Sequence, residues 1–330
     1  VPGASSSSDE APVPGRRVVF LFLDGVGIGP DDEDRNPFLR ARLPTLRELL
    51  GGTVPVRGAE ELQGREAVAF PLDAVLGVDG LPQSGTGQTA LLTGRNAPRI
   101  FGRHFGPWPP ARFRPLLEAE SLFARTLRGG RRALFANAYP AGFPGTRPLR
   151  TVAAPVLAAR GAGLLDRHRE ALARGEAVAT GIVNGTWRAL PGRPPVPEVT
   201  PREAGRTLAR LSARSDLTFF AHFETDHAGH RGGREGAVAA LERVDAFLAG
   251  LTRDLPDDAV LVAASDHGNI EDLTAQHTRN PALGLLVGPG AHELRRGLEG
   301  IGDLAPAVLS WMGIGFPTET DARSGLDRED

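Results

Sequence analysis

Three aspartates and three histidines recur in short motifs spread along the chain: Asp24 in "FLDGVG", Asp226 and His230 in "FETDHAGH", Asp266 and His267 in "AASDHGN", and His277 in "QHTRNP". Each aspartate follows an apolar run of strand character, and His230 stands four residues beyond Asp226. Carboxylates gathered in this way repel one another unless cations neutralise them. Mixed Asp/His donors suit Zn²⁺ or Mn²⁺ better than Ca²⁺, which prefers oxygen alone. Six such ligands exceed what one open catalytic metal takes, which predicts two divalent metal ions. Of the other histidines, His227 adjoins the Asp226 ligand and is expected to support it, while His222 lies inside a strand run and reads as structural. His168 and His292 carry no signal.

A hydroxyl nucleophile is offered by "LPQSGTGQTALLTG", Leu81 to Gly94. Ser84 and Thr86 lie in a glycine-bearing turn that opens a short helix, so either hydroxyl faces the positive end of the helix dipole. Beside a metal such a hydroxyl becomes an alkoxide nucleophile, and N–H groups of the turn can hold a phosphoryl oxygen. The glycines of "DGVGIGP" invite a competing dinucleotide-binding reading, but the frame is GxGxG followed by Pro30, without the third glycine of GxGxxG. The following "DDEDRNP" has no apolar helical stripe, and Asp24 would repel a pyrophosphate. Asp24 therefore reads as a ligand for a cation.

These residues must be positioned by a sheet. Apolar runs at 18–23, 67–76, 133–138, 216–223, 259–265 and 282–288 read as strands. A helix is predicted from Gln88 to Thr93, and a longer one carries Ala237, Leu241, Val244, Leu248 and Leu251 on one stripe. A last helix runs from Asp303 to Met312, with Gly313 as its stop. Strands alternating with helices predict an α/β fold with a doubly wound, mostly parallel sheet, whose strand ends converge the aspartates on one rim. Residues 97–200 are rich in Pro, Gly and Arg and read as a short inserted, cap-like region within a single domain spanning 18–330. Residues 1–17, rich in Ser, Pro and Gly, are expected to be a disordered tail.

Composition narrows the chemistry further. The 330 residues include no cysteine and no lysine, and all 38 basic residues are arginine. This excludes disulfides, thiolate nucleophiles, Cys-type metal sites, a Walker A loop and a Schiff-base lysine. A net charge of −2 gives no nucleic-acid or membrane-surface footprint. No apolar run is long enough to span a bilayer, and no signal peptide is visible, so a cytoplasmic location is expected.

Taken in order, Asp24 after a strand, the hydroxyl-glycine turn running into "TALLTG", the DxxxH of Asp226 and His230, "SDHGN" and the later "HT" resemble the alkaline phosphatase superfamily. The nearest branches are cofactor-independent phosphoglycerate mutase and phosphopentomutase. The likeness covers 18–96 and about 200–315, including the closing "IGDLAPAVLSWMGI". It implies that Asp24, Asp266, His267 and the nucleophile's oxygen hold one metal, and Asp226, His230 and His277 the other. In the mutase branch the nucleophile stands three residues before a glycine followed by histidine. Counting back from Gly87 selects Ser84 over Thr86, and Gln88 takes the histidine's place.

The resemblance implies phosphoryl transfer from a small-molecule phosphate ester through a phosphoserine. Thr86, Gln88, Arg103, His104 and Asn184 are the expected substrate contacts. The mutases also use a lysine and a sizeable cap, whereas this chain has no lysine and only a short insertion. The expectation is therefore a phosphohydrolase, with a phosphomutase as the alternative and an inactive metal-binding homologue as the reading from another class.

Overall fold

The computed structural model describes residues 16–59 and 61–316. Most of the predicted tail, residues 1–15, lies outside the described residues, while Arg17 opens the first strand and its Nη1 lies 2.8 Å from Asp258 Oδ1.

Seven strands form the main sheet. They are β1 (Arg17–Leu23), β2 (Leu62–Gln63), β3 (Ala67–Leu72), β4 (Ala133–Phe135), β7 (Leu217–His222), β8 (Ala259–Ala264) and β9 (Ala282–Val287). A separate parallel pair joins β5 (Asn137–Ala138) to β6 (Val178–Ala179). The order across the main sheet is β2-β3-β9-β8-β1-β7-β4. Strands β4, β7, β1 and β8 run parallel, and β9 is antiparallel to both β8 and β3. The sheet is thus mixed and mostly parallel, flanked by helices, as the strand–helix alternation predicts. β1 is apolar throughout because both its faces are covered: Val18, Phe20 and Phe22 enter one core, and Val19, Leu21 and Leu23 the other.

The antiparallel sense of β9 matters for the site. Residues 265–281 leave the carboxyl end of β8 and enter β9 at the same end of the sheet, so everything on that connection stays on the rim where β1 and β7 also end.

Several predicted elements differ in extent. The strand at 67–76 stops at Leu72, because the Asp73 carboxylate accepts from the N–H groups of Val75 and Leu76 and folds the chain into a turn. The run 133–138 divides at Ala136, beyond which the Asn137 side chain takes the place of a ladder partner. Its Nδ2 donates to Ala221 O at 2.7 Å, and its Oδ1 accepts from Ala221 N at 2.8 Å. The Ser84–Thr93 helix begins four residues before the predicted Gln88. The Pro201–Ser212 helix is missing from the sequence reading, although its start is a capping box of Thr200 with Glu203 followed by Pro201. It packs against the long Gly233–Arg253 helix, whose stripe holds Ala237, Leu241, Val244, Leu248 and Leu251 in the core.

Residues 97–200 do two things. The helices Arg114–Glu120, Leu122–Arg128 and Ala154–Gly161 send Leu117, Phe123 and Leu157 into the core beside Phe135 and Phe219. The segment from Tyr139 to Val156 instead reaches the rim of the sheet and walls a cavity there. Among the described residues no helix is long and apolar enough to cross a membrane.

Candidate metal centre and active site

Asp24 follows β1, Asp266 and His267 follow β8, and Ser84 is the first residue of the Ser84–Thr93 helix. Asp226 and His230 sit one turn apart on the Glu224–Arg231 helix that follows β7, and His277 lies on the β8–β9 connection. The rim therefore assembles two groups of donors, Asp24 with Asp266 and His267, and Asp226 with His230 and His277. Within each group one donor atom from each residue lies within 4.8 Å of the others. His267 Nε2 is 3.4 Å from Asp24 Oδ1 and 3.6 Å from Asp266 Oδ2. His230 Nε2 is 3.3 Å from Asp226 Oδ2 and 3.2 Å from His277 Nε2. The groups adjoin, because the rings of His267 and His277 stack with centroids 4.1 Å apart.

The residues fit cations on three counts. Asp24 Oδ1 and Asp266 Oδ2 are buried without a hydrogen-bond partner, which is costly for a carboxylate that no cation meets. Burial first, and then the charges of Asp266 and Asp226, hold the Asp24 carboxyl well above the usual carboxylate range. Burial and the Asp226 charge push Asp266 up to about 7. Burial lowers His267, and burial together with His267 lowers His277, so both rings are ready as neutral donors. Finally, His277 Nδ1 lies 2.9 Å from Pro82 O, a contact in which the ring donates and Nε2 is left to face the centre.

Ser84 is buried, with its Oγ 2.9 Å from His267 Nε2. Its hydroxyl stands at the helix N-terminus against the Asp24 group. Thr86 is turned elsewhere: its Oγ1 accepts from Phe105 N at 3.1 Å, and its N–H donates to Phe105 O at 2.9 Å. Of the turn's N–H groups, those of Thr86 and Gly87 are already committed, the latter to Gln83 O. Gln88 reaches the centre, donating from Nε2 to Asp24 Oδ2 at 3.2 Å.

The glycines of "DGVGIGP" answer to this crowding and not to a nucleotide. Gly25 has φ +65°, and a Cβ there would stand 2.5 Å from Asp226 Oδ1. A Cβ at Gly27 would stand 2.5 Å from the Glu271 carboxyl carbon.

Two residues of the centre escape the sequence reading. Glu271 is fully buried, and its carboxylate accepts from Gly27 N (2.9 Å), Asn269 N (2.7 Å), Thr278 Oγ1 (2.6 Å) and Asn280 Nδ2 (3.0 Å). It fastens the turn after Asp24, the segment after His267 and the segment after His277 to one point. Asn269 donates from Nδ2 to Asp226 Oδ1 at 2.7 Å and so orients that carboxylate. The signal available for both was position alone, within the "SDHGNIE" stretch.

Three of the expected substrate contacts lie away from the centre. The Arg103 guanidinium sits over the Phe101 and Phe105 rings, at 5.8 and 5.7 Å from their centroids. His104 Nε2 lies 3.1 Å from Val78 O. Asn184 is buried and donates to Pro197 O at 3.0 Å. Their polar atoms thus serve local backbone and rings. Thr86 is likewise committed to the Phe105 segment, and of the set only Gln88 lines the cavity over the centre. That cavity has a volume of about 920 Å³, with Asp24, Ser84, Asp226 and His230 at its floor. Arg147 and Arg231 stand on its wall. His222 is buried in β7 with Nδ1 2.8 Å from Thr180 O, which agrees with a structural role.

Comparison with known proteins bears on this centre. Residues 197–315 match the family model of the metalloenzyme superfamily. A curated relative from Syntrophotalea carbinolica, a 2,3-bisphosphoglycerate-independent phosphoglycerate mutase, is 36% identical over 131 residues, covering 35% of this chain and 24% of the relative. A phosphoglycerate mutase of the same description from Wolinella succinogenes is 30% identical over 135 residues, covering 38% of this chain and 27% of the relative. The chain thus spans about a quarter of the length of the curated relatives it matches. Among solved structures, the PH0037 protein from Pyrococcus horikoshii is similar in fold, with a TM-score of 0.54 and 12% identity, covering 93% of this chain and 99% of that one.

Proposed function

We propose that this chain, a member of the alkaline phosphatase superfamily of metalloenzymes, moves a phosphoryl group through a phosphoserine on Ser84 and returns it to a second hydroxyl of an organic phosphate, as a phosphomutase. The observation that carries the reading is Ser84 Oγ at a helix N-terminus, 2.9 Å from His267 Nε2, on the floor of a cavity beside both donor groups. Asp24, Asp266 and His267 would hold one divalent ion, and Asp226, His230 and His277 a second, with Mn²⁺ or Zn²⁺ favoured by the mixed donors. Bound there, the ions supply the positive charge that offsets the nucleophile and the phosphoryl oxygens.

The remaining work belongs to the chain. Ser84 gives up its hydroxyl proton and attacks phosphorus in line, the oxygen–phosphorus bond to the alcohol breaks, the departing alcohol oxygen takes up a proton, and the phosphoryl group rests on Ser84. Gln88 and Asn269 keep Asp24 and Asp226 oriented through their amide N–H groups. Arg147 and Arg231 offer guanidinium donors to an anionic group on the substrate, the task a lysine performs in the mutases.

The hydrolase expected from the missing lysine and the short insertion gives way to the mutase on two supports. The matched relatives are mutases, and arginines stand on the cavity wall. Hydrolysis remains the second reading, favoured by the solvent exposure of Arg147 and Arg231, which weakens their hold on an intermediate. A complete donor set with a placed hydroxyl argues against an inactive homologue. The deciding test offers phosphate esters carrying a second hydroxyl to the metal-loaded chain and follows free phosphate and positional isomers together. Isomer interconversion with little phosphate release supports the mutase, and stoichiometric release overturns it.

A further inference from the structure

The floor of the cavity is ionic and Arg147 and Arg231 stand on its wall, but one side of that wall is aromatic and apolar. Trp108, Tyr139 and Phe143 stand on the wall together with Val152, Val156 and Phe223. Tyr139 and Phe143 form a ring pair with centroids 4.7 Å apart, and burial pushes the Tyr139 phenol up to about 12. Trp108 is 37% exposed, and among the described residues no ring contact joins it. At about 920 Å³ the cavity lies toward the upper end of small-molecule sites, which run from about 300 to 1,000 Å³. A three-carbon phosphate would leave most of that volume unfilled. Its carboxylate could meet Arg147 or Arg231, but the aromatic side of the wall would be left without a partner.

We infer that the substrate of this site is a phosphate monoester whose alcohol moiety is bulky and bears a ring, seated against Trp108, Tyr139 and Phe143 while its phosphate lies at Ser84. The inference rests on the phosphoryl-transfer reading above and deepens it by naming the substrate class. The ring belongs to a nucleoside, to a sugar or, for transfer to Ser84 alone, to an aryl group, which has no second hydroxyl to take the phosphoryl group back. All three present a flat or weakly polar face to aromatic side chains, and separate arms of the test distinguish them.

The experiment uses the full chain loaded with Mn²⁺ or Zn²⁺. Phenyl phosphate, a nucleoside 5′-monophosphate, a hexose phosphate, 3-phosphoglycerate and glycerol phosphate are compared by kcat/KM. Binding of phenylphosphonate and methylphosphonate is measured in parallel by calorimetry, which needs no turnover. At least one ring-bearing ester should exceed both acyclic ones by about tenfold or more, the effect of two aromatic contacts, and phenylphosphonate should outbind methylphosphonate to a similar degree. Trp108→Ala and Phe143→Ala, both at partly exposed positions that tolerate truncation, should each lower the ring-to-acyclic ratio by about three- to tenfold, chiefly through KM.

Equal or better use of the acyclic esters overturns the inference while leaving phosphoryl transfer standing, as does a ratio unmoved by both variants. Failure of every ester to yield a phosphoserine, with phenylphosphonate still preferred, would instead remove the phosphoryl-transfer reading and keep the ring-binding cavity. No phosphoserine and no ring preference would remove both.

Discussion

Replacing Glu271 by glutamine is the most exacting test of how the centre is held together. The carboxylate accepts from two backbone N–H groups, Gly27 and Asn269, and from two side chains, Thr278 and Asn280. An amide of the same size can keep only one acceptor oxygen. The backbone donors cannot reverse, so the amide oxygen must face them and the NH₂ group must face Thr278 and Asn280. The Thr278 hydroxyl can rotate to accept, whereas Asn280 Nδ2 then meets a second donor, its Oδ1 being engaged by Arg57 at 3.2 Å. One bond is lost and the other three lose their charge assistance. With about 1.5–3 kcal/mol for a hydrogen bond to a charged group against about 1 kcal/mol for a neutral one, Glu271→Gln should cost about 3 kcal/mol or more. Urea unfolding of the full chain should show a lower midpoint at unchanged slope, and calorimetry should show weaker metal binding, since the segments bearing Asp24, His267 and His277 lose their common anchor. A loss below about 1 kcal/mol with metal affinity intact would refute the reasoning.

Other expectations follow from the same geometry. Asp226→Asn or His277→Ala should each remove one equivalent of bound metal and lower turnover by several orders of magnitude, and full occupancy by elemental analysis would contradict the donor grouping. Metal affinity should strengthen as pH rises through about 7, with protons released on binding, because a cation must displace the proton that burial keeps on Asp266; calorimetry in buffers of different ionisation enthalpy checks both. By the same sign, the Asp266 contribution to stability of the metal-free chain is full below its ordinary value of 3.8 and is lost as pH rises through about 7. Ser84→Ala should abolish turnover with metal binding retained, while Thr86→Ala should act mainly on stability by detaching the Phe105 segment; phosphate trapped on Thr86 would reverse this assignment. Gly27→Ala should destabilise by about 2 kcal/mol or more, because its Cβ would meet the Glu271 carboxyl carbon at 2.5 Å, and a neutral effect on thermal unfolding would count against that crowding.

The donor residues were legible in the sequence because strand ends in an open α/β sheet share a rim, so Asp24, Asp226 and Asp266 could be gathered without coordinates. The division into two triads came from a resemblance, and the geometry groups the same residues. Glu271 and Asn269 were not legible, since what they do depends on which backbone groups reach them from Gly27 and Asp226, far away in the chain. Arg103, His104 and Asn184 lie in a region of weak periodicity, where nothing in the pattern says which side chains turn toward the rim. The Pro201–Ser212 helix differs from these, because its capping box of Thr200 with Glu203 is a signal that stands in the sequence itself.

The β8–β9 connection carries His267 toward one triad and His277 toward the other, and the two rings touch face to face. A single segment, clamped by a strand at each end, is therefore shared property of both sites. An ion in either triad sets its charge against a ring pair that both triads share, so the second ion meets donors already altered by the first. Occupancy should accordingly be coupled, with a calorimetric isotherm that two independent sites cannot fit.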